Sequence, residues 1–153
     1  MSKIILYGKD VSEKIVSGSE KLAKTVSVTM GPKGKCVIIG KFVGAPVITK
    51  DGVSVAREVV LNCPVENLVC QLVKEAAGRT ADVAGDGTTT ATVLSDEFIR
   101  RGMKLLDSGY NPIYFRDGIS WAVKNIIKNL ESISKTVSSE EDLKNIATIS
   151  SNN

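Results

Sequence analysis

Apolar positions recur with a helical period along most of this chain, and short β-branched runs interrupt that period only in its first third. Over residues 10–30, Val11, Ile15, Leu22, Val26 and Met30 share one side of a 3.6-residue helix, with Gly18 weakening its middle. Gly31 and Pro32 end that helix, glycine past the last turn and proline just beyond. Residues 36–40 and 46–49 are short and β-branched, and the connection over 41–45 predicts a hairpin. A two-stranded hairpin is marginal in isolation, so this one is expected to pack against or pair with something else. Residues 3–7, Lys-Ile-Ile-Leu-Tyr, predict a short N-terminal strand bounded by Gly8.

After Asp51-Gly52 the pattern is helical throughout. Residues 64–83 open on Pro64 and place Val65, Leu68, Val69, Leu72, Val73 and Ala76 on one broad face. The loop Ala84-Gly85-Asp86-Gly87 separates this helix from a second over 88–108, in which Ala91, Leu94, Phe98, Leu105 and Leu106 are helically spaced. Pro112 opens a third long helix to Ser134. Its stripe of Ile119, Ala122, Val123, Ile126, Ile127, Leu130 and Ile133 is the cleanest amphipathic pattern in the chain. A polar break at Val137-Ser138-Ser139 precedes a shorter helix over 140–149, whose apolar side has no evident partner. The fold class this predicts is mainly α, with one β-hairpin and a short N-terminal strand.

Composition narrows the chemistry. The chain has 153 residues, 42% hydrophobic and 24% charged, the balance of a globular domain. Histidine is absent, which removes Ser/His/Asp and Cys/His triads, the usual zinc sites and histidine base chemistry. Any chemistry must run on Asp, Glu, Lys, Thr, backbone amides and a bound cation. The net charge of +3 is dispersed and not interleaved with aromatics, so no nucleic-acid partner is expected. Cys36, Cys63 and Cys70 are odd in number and form no CxxC pair. They fit a reducing compartment and read most simply as small apolar residues. The N-terminal apolar run Ile4-Ile5-Leu6 is too short for a signal-peptide core or a span, so the expectation is a cytoplasmic protein without a membrane partner.

Three segments carry candidate chemistry. In Ala84-Gly85-Asp86-Gly87-Thr88-Thr89-Thr90-Ala91-Thr92, two glycines flank an aspartate and three threonines lead into a helix. Glycine permits close backbone approach, and the first amides of a helix lack intrahelical partners and favour anions. A single carboxylate at Asp86 suits Mg²⁺ shared with a nucleotide's phosphates. A helix cap alone would explain Asp86 or Thr88, but one cap does not need three poor helix formers in a row. Thr29-Met30-Gly31-Pro32-Lys33-Gly34 is a glycine-bracketed turn whose amides could cradle phosphate, although taken alone it reads more simply as a helix stop plus a turn. In Thr49-Lys50-Asp51-Gly52, Asp51 reads either as an N-cap or as a carboxylate near a γ-phosphate.

As an ordered set, these segments and Gly44-Ala45-Pro46 resemble the group I (GroEL-type) chaperonins. The run Ile48-Thr49-Lys50-Asp51-Gly52-Val53-Ser54-Val55-Ala56-Arg57-Glu58 and the Gly87-Thr88-Thr89-Thr90 run carry most of the likeness. The resemblance implies an ATP-dependent foldase of stacked rings. It implies that Thr29, Met30, Gly31, Pro32, Lys50, Asp86, Gly87, Thr88, Thr89 and Thr90 line the ATP phosphates. Asp86 would reach Mg²⁺, Asp51 would be the catalytic carboxylate near the γ-phosphate, and the carbonyls of Thr29 and Lys50 would contact K⁺. Residues 1–134 would be the N-terminal part of the ATP-binding equatorial domain and 135–153 the start of the intermediate domain.

The same resemblance implies a homo-oligomeric double ring of chaperonin subunits. Unfolded polypeptides and a co-chaperonin would bind through an apical domain that this sequence does not contain. The nucleotide-base contacts and the aspartate assigned as the hydrolytic base are likewise outside it, so the expectation is a fragment with weak or no ATP binding and no turnover of its own. An alternative is a catalytically inert interaction module that joins full-length subunits through its strand and hairpin.

Overall fold

A computed structural model describes residues 4–41 and 43–150. Lys3 of the expected strand, Phe42 of the hairpin connection and residues 151–153 lie outside the described residues. Six helices and one hairpin are present among the described residues: α1 (Lys9–Ser27), β1 (Val37–Ile39), β2 (Val47–Thr49), α2 (Gly52–Glu58), α3 (Pro64–Ala84), α4 (Thr88–Asp107), α5 (Pro112–Ile133) and α6 (Glu140–Ser150). The chain divides into two compact units, Met1–Asp107 and Ser108–Asn153.

In the first unit α1, α3 and α4 pack mutually, and the short α2 lies against α1 and β1. The core is Leu22, Val26, Val55, Ala56, Cys70 and Val73, joined at its margin by Val37, Ile39, Val59, Leu61 and Ile99. Complete burial of a side chain such as Leu22 or Val55 contributes about 1.5–3 kcal/mol each. Gly18, a weakness in helical propensity, has a packing reason. A Cβ there would lie 2.6 Å from the Glu66 carbonyl oxygen, so glycine lets α1 and α3 approach backbone to backbone.

β1 and β2 pair antiparallel, with Val37 opposite Thr49 and Ile39 opposite Val47. This is the only sheet among the described residues. Ile4, Ile5, Leu6 and Tyr7 are not in a strand, contrary to the sequence pattern. A strand exists only through a partner's backbone, and no described segment of this chain supplies one.

Two of the expected apolar faces are only partly used. On α3, Val69, Cys70, Val73 and Ala77 are buried, whereas Leu68 and Leu72 are each 66% exposed. On α4 the buried positions are Thr88, Thr92, Asp96 and Gly102 rather than the expected Leu94, Phe98 and Leu105. Small polar groups can face inward there because they are satisfied: Thr92 Oγ1 donates to the Thr88 carbonyl at 2.9 Å, and Ser19 Oγ donates to Asp96 at 2.8 Å.

The second unit contains α5 and α6. Asn111 caps α5, its side chain accepting from the Ile113 amide at 2.9 Å, and Pro112 follows at the first helical position. Ser139 Oγ accepts from the Asp142 amide at 3.1 Å, and α6 begins with Glu140, Glu141 and Asp142, which complement the helix dipole. Neither helix has a buried residue.

Candidate functional site

The end of α1 is set by hydrogen bonding at a threonine. Both Thr29 N (3.1 Å) and Thr29 Oγ1 (2.8 Å) donate to the Val26 carbonyl, which tightens the last turn and buries Thr29. Helix α1 therefore stops at Ser27 rather than continuing to Met30. Gly31 follows with φ +77°, and the Gly34 amide donates to the Gly31 carbonyl at 2.9 Å. A Cβ on Gly34 would stand 2.2 Å from the Thr29 carbonyl oxygen, so this turn requires glycine. Met30, Gly31, Pro32 and Lys33 are exposed around it.

Asp51 caps α2. Its carboxylate accepts from Val53 N at 3.2 Å, Ser54 N at 2.9 Å and Ser54 Oγ at 2.6 Å, while its own amide donates to Thr49 Oγ1 at 3.0 Å. Partial burial pushes this carboxyl up. The hydrogen bonds from Ser54 and Val53, with Arg57 nearby, outweigh it and hold the carboxyl below its ordinary value. The capping reading of Asp51 is thus realised, and the carboxylate is kept ionised at neutral pH. Lys50 beside it is exposed.

Gly85 ends α3 in the left-handed conformation at φ +73°, and Gly87 at φ +86° turns the chain into α4. Asp86 is exposed between them, its Oδ1 accepting from the Gly87 amide at 2.6 Å. Thr88, Thr89 and Thr90 form the first turn of α4, where amides have no intrahelical acceptor. Their donors and the dipole end make this turn suited to an oxyanion.

These three segments meet at Gly52. A Cβ on this buried glycine would stand 2.1 Å from Thr89 Oγ1, 3.1 Å from Thr29 Oγ1 and 3.2 Å from Val26 Cγ1. The turn after α1, the start of α2 and the start of α4 therefore converge, and only a residue without a side chain fits between them. Sequence reasoning left Gly52 out of the site; its place directly after Asp51 was the available signal. Behind it a small cavity of about 100 Å³ is lined by Gly52, Val53, Lys74, Thr88 and Thr92 among others. Lys74 Nζ donates to the carbonyls of Arg57 (3.0 Å) and Val59 (2.6 Å), closing the far end of α2. Of the expected residues, Thr29, Asp51 and Thr89 are tied to this junction through Gly52 or its neighbours. Met30, Pro32, Lys50 and Asp86 stand exposed on the loops around it.

No group of three or more Cys, Asp or Glu side chains is gathered in metal-binding proximity among the described residues. No described helix is long and apolar enough to cross a membrane.

The first unit is mainly helical, and in it two glycine turns and a capped helix start converge on a threonine-rich helix N-terminus. Residues 22–153 match the TCP-1/cpn60 chaperonin family, and the chain belongs to that family. The family acts in protein folding, its members are in general ATPases, and they work as assemblies of subunits.

Proposed function

We propose that this chain carries the phosphate and magnesium side of the ATP site of a group I chaperonin, an ATP-driven foldase of the cytoplasm. The observation that supports this most is the seating of Gly52 against Thr29 and Thr89, because it brings three segments distant in sequence to one junction. Residues 1–134 are then the N-terminal part of the equatorial domain, and 135–153 begin the intermediate domain.

In this reading the α4 amides and the hydroxyls of Thr88, Thr89 and Thr90 would hold phosphate oxygens, together with Thr29, Met30, Gly31 and Pro32. Gly87 gives the backbone its close approach, and Lys50 adds positive charge. Asp86 would be the protein carboxylate that holds Mg²⁺, which suits an ion that keeps most of its shell for water and phosphate. Magnesium supplies charge neutralisation at the phosphates when it is bound. The carbonyls of Thr29 and Lys50 would be the potassium contacts.

Asp51, held ionised by Ser54 and Val53, is a poor proton acceptor at neutral pH. Its role is to orient water and cations near the γ-phosphate rather than to take a proton. Ring assembly with further copies, and action on unfolded polypeptides with a co-chaperonin, belong to the complete subunit.

The test is a thermal melt of the full 153-residue chain with Mg²⁺ and ATP, or with Mg²⁺ and tripolyphosphate. Because this side of the site would touch phosphate and metal only, any rise in Tm is expected to be equal for the two ligands. Asp86→Ala is expected to abolish both shifts. A shift that survives Asp86→Ala would contradict the reading, whereas no shift with either ligand would mean that the site needs the rest of the subunit.

A further inference from the structure

Helix α2 is seven residues long, too short to be stable by itself, so its two ends must be held by the rest of the molecule. The N-terminal end is fixed by the Asp51 cap and by Gly52, which leaves no room for a side chain against Thr89. The C-terminal end has no left-handed glycine. Val59 flanks it in an extended conformation, and its amide donates to the Ala56 carbonyl at 3.3 Å. The last carbonyls of the helix therefore need another donor.

Lys74 supplies it. This residue lies in the middle of α3, and its Nζ donates to the Arg57 carbonyl at 3.0 Å and the Val59 carbonyl at 2.6 Å. The Val59 carbonyl also receives the Cys70 thiol at 3.9 Å, and the Leu61 amide donates to Asn67 Oδ1 at 3.0 Å. An ammonium at a helix C-terminus is doubly suited, since it donates to free carbonyls and opposes the negative end of the dipole. Helix α2 lies chiefly against α1, α4 and β1. Lys74 adds a tie to α3, the helix that ends at Gly85 beside Asp86. The segments that carry Asp51 and Asp86 are thereby held in one frame. Any movement of α2 along its axis is passed to Gly52, where Thr89, Thr29 and Val26 leave no slack.

We propose that Lys74 is a positioning residue of the phosphate site: by gripping the Arg57 and Val59 carbonyls it sets the axial position of α2, and through it the seating of Gly52 against Thr89 and the aim of the Asp51 cap. What the junction binds rests on the nucleotide reading; how it is held does not.

The test is amide NMR and hydrogen exchange of the full chain without ligand. Lys74→Met keeps the aliphatic stem and removes the donors, whereas Lys74→Arg keeps donors for both carbonyls. In Lys74→Met the Val53 and Ser54 amides, which donate to Asp51, are expected to exchange about tenfold faster, and the Gly52 and Thr89 resonances to shift. Lys74→Arg should return both towards the unaltered chain. Val69→Ala, which empties buried volume on the same helix where it faces Gly18, should leave the Gly52 and Thr89 resonances in place. If Lys74→Met does not fold, Lys74→Gln, whose side chain is too short to span both carbonyls, carries the same comparison. Unmoved resonances in Lys74→Met, no recovery in Lys74→Arg, or the same shifts in Val69→Ala would overturn the proposal. Because no nucleotide is present, these outcomes bear on Lys74 alone, whereas a failed response to ATP bears on the nucleotide reading.

Discussion

In the first unit Leu22, Val26 and Val55 are almost wholly shut from solvent, whereas in α5 Leu130 is 55% and Ile133 is 73% exposed. Yet the apolar stripe of α5 is the more regular of the two in sequence. The contrast separates two properties that periodicity alone conflates. A period of 3.6 fixes which face of a helix is apolar; whether that face is covered depends on elements elsewhere. In α1 the stripe meets α3 and α4, and glycine at position 18 lets α1 approach the backbone of α3 at Glu66. No residue of α5 or α6 is fully buried, although Phe115, Ile119 and Ala122 are half-buried.

The sharpest way to break the comparison is a matched truncation. Leu22→Ala should lower unfolding stability by about 2–5 kcal/mol, since it removes a fully buried side chain and leaves a cavity. Leu130→Ala should change it by less than about 0.5 kcal/mol. Urea denaturation of both variants checks the pair, and a large loss at Leu130 would show that the α5 stripe is covered in solution.

A smaller effect is expected where the first unit closes around Gly52. Gly52→Ala forces a Cβ into the Thr89 hydroxyl and should cost about 1–3 kcal/mol by the same denaturation measurement. It should also remove any stabilisation by Mg²⁺ and tripolyphosphate. Retention of that response with an unchanged melt would mean that the three segments are not held as described.

Smaller again is the electrostatic contribution at the α1–α3 crossing. Hydrogen bonds from Lys21 and Lys14 lower the Glu66 carboxyl from its ordinary 4.5 to about 2, against the cost of desolvation. The folded state therefore binds this proton less readily than the unfolded chain. Its contribution is fully present above pH 4.5 and is lost as pH falls from there towards 2. Glu66→Gln should lower stability at neutral pH by about 1 kcal/mol and flatten the dependence on pH in that window. Equal slopes in the two proteins below pH 4.5 would rule out the pairing as a contributor.

Much of this architecture was legible from local rules. Gly31 with Pro32, the opening prolines at 64 and 112, and the paired glycines at 85 and 87 placed the ends of the long helices within a few residues. The inward face of α4 was not legible, because Thr92 and Asp96 enter the interior through bonds to Thr88 and to Ser19 of another helix. A hydropathy pattern cannot register a partner 77 positions away. Residues 4–7 form no strand for a related reason, since β-branched composition does not supply the neighbour that a strand requires. At the candidate site, the glycine and threonine spacings identified the segments. Their convergence depended on Gly52, whose role is visible only once α2 lies against α4.

The most direct test of the account is amide hydrogen exchange of the full chain with and without Mg²⁺ and ATP. The account predicts slower exchange in all three segments together: residues 29–34, residues 50–54 and residues 86–90. Protection confined to one segment, or unchanged exchange in all three under conditions where the ligand is bound, would contradict a shared phosphate site.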